Sequence, residues 1–192
     1  AVAVAVWLSL LGANPDPRFR AGVFLHDAGK YDGAIKLYRE LLADRPHDAA
    51  TVYELAISLM ANRQPGEAVA LIDEELKSGG QSSRLYAVLA QAHGAKGDAE
   101  GALTSLQRGL EVDPTNGELL YNLGVHYGSR EKWPDAIAAF TACARAEPEN
   151  PSGWWGLGRA YEAVAEPGQA VGAYTRAALT RAETHRLKAA AQ

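Results

Sequence analysis

The chain has 192 residues, of which 47% are apolar and 22% charged, and a formal net charge of −4; that is enough apolar material for a packed core and excludes a disordered chain. An acidic balance without any lysine- or arginine-rich run excludes a reader of nucleic-acid backbones. One cysteine, Cys143, excludes an intrachain disulfide and a cysteine-built zinc site.

Residues 1–11 (AVAVAVWLSLL) are apolar apart from Ser9, yet fall short of the roughly 20 residues a bilayer-spanning helix needs. Two readings of residues 1–14 stand open. In one they form a capping helix, in register with the second helix of an earlier unit, with Ala1, Ala5 and Leu8 on the buried stripe; in the other they are the remnant of a signal or anchor. Asn14-Pro15-Asp16-Pro17 is a turn under either.

From residue 15 onward the chain repeats. Ala34, Ala68, Ala102, Ala136 and Ala170 recur at intervals of 34 without insertion or deletion, and a fixed period of this length marks a stacked array. Twelve places before each lies a small residue, Gly22, Ala56, Ala90, Gly124 or Gly158, and four places after each a large one, Tyr38, Ile72, Leu106, Phe140 or Tyr174. The latter offset is one helical turn on the same face. Pro46, Pro114 and Pro148 close helical runs, and breaks such as Gly94-Ala-Lys-Gly97 split each unit in two. The spacing therefore predicts five helical hairpins, at 15–48, 49–82, 83–116, 117–150 and 151–184, followed by a polar helical extension over 185–192.

The fifth unit carries Trp154, Leu157-Gly158, Tyr161, Ala170, Tyr174 and Ala177, and the fourth Leu123-Gly124, Tyr127, Ala136, Phe140 and Pro148. This pattern resembles the tetratricopeptide repeat from residue 15 onward. Departures are Gly79-Gly80 in place of the closing proline of the second unit and Ala182 in place of that of the fifth. The resemblance implies an all-α, right-handed α-solenoid, or superhelix, of helix-turn-helix repeats. It implies a protein-protein interaction scaffold whose first helices line a concave groove.

On those first helices one slot holds Phe19, Tyr53, Tyr121 and Trp155, with Ala87 the exception, and four residues later come Val23, Ile57, Gln91, Val125 and Arg159. With Asn122 these make an aromatic and aliphatic groove with polar anchors, suited to a peptide or amphipathic helix of a partner whose identity is not written in the chain. The competing reading is that the aromatics pad contacts between neighbouring helices. A carboxylate clamp of the kind found in similar chaperone-tail binders is not expected, because the matching slots hold Phe19, Val23, Glu54, Arg84 and Val88. The alternative function is a structural segment of a longer array, or a unit that self-associates through its N-terminal segment.

No enzyme, metal or cofactor is expected. His26, His47, His93, His126 and His185 share no i, i+3 or i, i+4 spacing; His93 reads as a repeat-core histidine with a local partner and Cys143 as a small core residue. Asp73-Glu74-Glu75 reads as a solvated face. The repeats themselves are not expected to enter a membrane. A cytoplasmic location is the expectation, and a periplasmic or membrane-anchored one the alternative if residues 1–12 are a targeting remnant.

Overall fold

The computed structural model describes residues 16–190, with side chains described to residue 182. The expectations for residues 1–14, and for the side chains of the extension at 185–192, lie outside the described residues.

Among the described residues ten helices follow one another: α1 (Pro17–Asp27), α2 (Tyr31–Asp44), α3 (Ala49–Ala61), α4 (Pro65–Lys77), α5 (Ser83–Ala95), α6 (Ala99–Val112), α7 (Gly117–Gly128), α8 (Trp133–Ala146), α9 (Pro151–Ala163) and α10 (Pro167–Ala190). Among the described residues there is no strand. The architecture is an all-α solenoid of helix-turn-helix repeats. It divides into two compact units between Gly80 and Gln81. In the first unit α1 packs on α2, α2 on α3 and α3 on α4; in the second the hairpins are α5–α6, α7–α8 and α9–α10, with α6 against α7 and α8 against α9.

The local chemistry explains where helices start. Asp16, Asp98, Asn116 and Asn150 accept hydrogen bonds from first-turn amides of the helices they precede, satisfying donors that have no partner within the helix. Prolines occupy the first turn of α1, α4, α8 and α9, where a missing N–H costs nothing. The turn inside each hairpin always contains one residue at positive φ, and these lie 34 apart: Gly29 (72°), Arg63 (59°), Gly97 (76°), Glu131 (58°) and Ala165 (58°). Glycine is thus dispensable at three of the five, although left-handed backbone costs an L-residue about 1 kcal/mol.

All five period-marking alanines are buried, together with Tyr38, Ile72, Leu106 and Phe140. The small slot faces the large residue of its own hairpin. A Cβ on Gly22 would lie 2.5 Å from Tyr38 Cε1, one on Gly124 2.5 Å from Phe140 Cε1, and one on Gly158 2.6 Å from Tyr174 Cε1. Where the large residue is Ile72 or Leu106, the slot holds Ala56 or Ala90. Side-chain volume is therefore traded between the two helices, as a core packed to crystal density requires.

Two side chains depart from expectation. Phe19 is only 7% exposed and its ring stands edge-on to Tyr38 at 5.9 Å between centroids; it fills the first hairpin rather than an open face. Glu75 is buried, not solvated. It occupies the slot of Leu41 and Cys143, and its Oε2 lies 2.8 Å from His47 Nδ1, which gives the buried acid a partner.

Candidate functional site

In the second unit the first helices α5, α7 and α9 are neighbours, and α7 and α9 place Tyr121 and Trp155 at the same repeat slot. Trp155 is 47% exposed, an unusual state for so large an apolar side chain. The guanidinium of Arg159, one turn further on, lies 5.1 Å from the centroid of its indole. This cation–π contact holds both groups in fixed positions at the surface. Tyr121 is half-buried and leans on Phe140, with 5.6 Å between ring centroids.

Tyr121 and Trp155 are shared by two clefts. One of about 890 Å³ is completed by Pro151 and Ser152 on α9 and by Tyr174, Ala177, Ala178 and Arg181 on α10. The other, of about 500 Å³, also takes in Val125, Trp133 and Arg159, and has Gly124, Gly128 and Gly156 among its walls. These volumes match the size of a few peptide side chains. A third cleft of about 330 Å³ brings Gln91, Asn122 and Val125 together with His126 and Arg130. There Asn122 Nδ2 is buried without an acceptor among the described residues, while Gln91 Nε2 donates to Glu118 Oε1 at 3.2 Å.

Of the residues singled out from the sequence, the structure thus brings Tyr121, Val125, Trp155 and Arg159 to one cleft and Gln91, Asn122 and Val125 to another. In the first unit Val23, Tyr53 and Ile57 are half-buried on α1 and α3, and Phe19 is withdrawn into the core. The acid beside Tyr53 is perturbed: burial first, and the charge of Asp27 second, push the Glu54 carboxyl up to about 7.

Sequence reasoning missed Tyr174, Trp133 and Arg181. They lie on α10 and α8, second helices, and a search restricted to first-helix slots could not include them. Tyr174 donates its hydroxyl to Glu162 Oε2 at 2.6 Å, and this acceptor, after burial, raises its phenol to about 12. The other candidates resolve into structure. His93 Nδ1 lies 2.7 Å from Asp98 Oδ2, Gly97 supplies a hairpin turn, and Gly156 sits against Phe140. Among the described residues no cluster of His, Cys, Asp or Glu is arranged to hold a metal ion, and no helix is long and apolar enough to cross a membrane.

Models described as tetratricopeptide repeat match residues 25–92, 83–116 and 121–185. No relative among curated proteins matches the sequence. Among solved structures, the chain is similar to MamA, with 22% identity over 91% of this chain and 99% of that one and a TM-score of 0.75. It is likewise similar to a thermophilic TPR protein of Thermus thermophilus, with 23% identity, coverage of 90% and 94% and a TM-score of 0.72. A third is YrrB, described as a TPR protein with an unusual peptide-binding site, with 18% identity, coverage of 90% and 91% and a TM-score of 0.63.

Proposed function

Because the chain belongs to the tetratricopeptide repeat family, we propose that it is an interaction scaffold that holds a peptide or short helix of another protein on the first-helix face of its second unit. The observation that carries this reading is Trp155, nearly half exposed and shared with Tyr121 by two adjoining clefts. Rigid aromatics of this kind dominate binding energy because they bury a large area while freezing few torsions.

The fit is to a segment with one apolar side chain directed between Trp155 and Tyr174 and an acidic group within reach of Arg159 or Arg181. Asn122 and Gln91 add amide groups that suit a peptide backbone. YrrB, with its own peptide-binding site, gives a parallel for the use of the fold. Affinity in the micromolar range, about −8 kcal/mol, is the expectation for a contact of this size.

A displayed library of 12-residue peptides, selected on the full chain and followed by calorimetry, tests the reading. The Tyr121→Ala, Trp155→Ala double variant should weaken the selected peptides at least about 10-fold, since each anchor contributes more than about 1 kcal/mol. Peptides that bind the double variant as well as the parent would remove the assignment.

A further inference from the structure

The tyrosine that fills the first hairpin is buried with its hydroxyl unsatisfied. Tyr38 on α2 is completely enclosed, and among the described residues its Oη finds no hydrogen-bond partner, a state that costs free energy in a core and calls for a physical cause. The last hairpin shows how the same slot is satisfied. Tyr174, four periods later, donates to Glu162 on its own first helix. Counted back by the same four periods, Glu162 falls on His26, and that imidazole is engaged elsewhere, with Nδ1 2.9 Å from Ser58 Oγ on α3. The Tyr38 ring runs past Gly22, where a Cβ would lie 3.1 Å from the hydroxyl, so its polar tip lies beside α1.

Two carboxylates face this tip. Ser58 Oγ donates to the Glu54 carbonyl at 2.7 Å and, through His26, ties that turn of α3 to the turn of α1 that carries Asp27. Glu54 and Asp27 are the charges that act on the Tyr38 phenol, and after burial they push its pKa up. On Glu54 itself the charge that acts, among the described residues, is again Asp27, of like sign. Three oxygen acceptors, one from each of α1, α2 and α3, are thus gathered at one helix crossing.

The surroundings fit a hydrocarbon stem. Val23 lies one turn before Asp27 on α1, and Ile57 one turn after Glu54 on α3; both are half-buried, so each sets apolar surface beside an acid. An ammonium carries three donors and no acceptor. It matches three oxygens that approach from different helices, whereas a guanidinium presents its donors in one plane. The stem of a lysine can lie along Val23 and Ile57 while its head meets the oxygens. Glu54 also holds the slot of Asn122, two periods on, so the first unit offers an acid where the second offers an amide.

We propose that Glu54, Asp27 and the Tyr38 hydroxyl form a receptor for the ammonium of a lysine side chain on a partner peptide. That the lysine belongs to a peptide rests on the scaffold reading above; the site itself does not depend on the clefts of the second unit. The lysine keeps Glu54 ionised, since an opposite charge at contact distance favours the carboxylate, and it gives the Tyr38 oxygen a donor.

The test titrates the full chain at about pH 8, above the value at which Glu54 titrates. The probes are the acetylated, amidated peptide Ala-Leu-Lys-Leu-Ala and its counterparts with Gln, Arg or Glu in the central place, followed by NMR shifts of backbone amides. The lysine peptide should bind at least about 10-fold more tightly than the glutamine peptide, the worth of a charge-assisted hydrogen bond, with arginine between them and glutamate weakest. Glu54→Gln should erase that difference. The Tyr121→Ala, Trp155→Ala double variant should keep it, so failure here and failure of the second-unit reading are told apart. Tyr38→Phe should weaken the lysine peptide about 3-fold without lowering Tm, because the hydroxyl it removes has no partner in the free protein; unchanged binding would overturn the role given to the hydroxyl. Binding of n-butylammonium as tight as that of the lysine peptide would assign the site to free amines and overturn the peptide source. Equal binding of the lysine and glutamine peptides, or a preference that survives Glu54→Gln, overturns the proposal as a whole.

Discussion

Gly158 lies against the ring of Tyr174 so closely that a Cβ would be 2.6 Å from Cε1. Ala90 and Leu106 occupy the same two slots one pair of hairpins earlier. The two slots share a fixed volume, and either partner can hold it. Gly158→Ala should therefore destabilise the protein by about 1–3 kcal/mol through overpacking, and adding Tyr174→Leu should recover most of the loss. Urea unfolding of the two single variants and the double variant measures the coupling; additivity would show that the glycine is kept for some other reason.

The helix-interior glycine Gly172 provides the contrast. Among the described residues no atom outside its own helix comes within 4 Å of where a Cβ would stand, and it is exposed on α10. Gly172→Ala should stabilise by about 0.5–1 kcal/mol from helix propensity alone, visible as a small rise in the urea midpoint.

Glu54 makes stability depend on pH near neutrality. Its carboxyl titrates near 7 in the folded chain, against an ordinary value near 4.5, chiefly because burial disfavours the charged form. The folded state therefore holds the proton more tightly than the unfolded one. Its contribution is fully present below about pH 4.5 and is lost as pH rises toward 7. Glu54→Gln should flatten this slope and leave the protein more stable at pH 8 by on the order of 1 kcal/mol, which melting curves across pH 5–8 would reveal.

His47 keeps the buried Glu75 satisfied. Its imidazole also lies 3.2 Å from Ser78 Oγ, at the C-terminal cap of α4. His47→Ala should cost about 1–3 kcal/mol, the penalty for a buried acceptor left unpaired, whereas Glu75→Leu, matching Leu41 at the equivalent slot, should cost less. Equal losses from the two would assign the effect to the loop and not to the acid.

The period was legible because each hairpin repeats the same packing problem. The alanines at 34, 68, 102, 136 and 170 and the large residues four places on stand on buried stripes, and those stripes leave a regular imprint on sequence. Tyr121, Val125, Trp155 and Arg159 share a slot pattern on first helices, so their meeting at one cleft follows from spacing, while their contact with a partner is a proposal. Phe19 was misread because periodicity fixes which face a residue lies on but not how deeply its neighbours enclose it. Glu75 was misread because two flanking acids disguise a core position, and the histidine that compensates it stands 28 residues away. Tyr174, Trp133 and Arg181 approach the clefts from second helices, a convergence no single-helix pattern records.

The lone thiol supplies a built-in reporter. Cys143 is buried, donates to the carbonyl of Gly117 at 3.3 Å, and has its pKa raised to about 11, mainly by burial, so the thiolate that reacts with labelling agents is scarce while α8 stays packed. Modification then proceeds only as often as α8 parts from the helices that enclose the thiol, α7 through Gly117 and α9 through Gly153, and its rate clocks that local opening. Followed with and without a bound peptide, that clock would convert occupancy of the neighbouring clefts into a measured lifetime, with no label attached in advance.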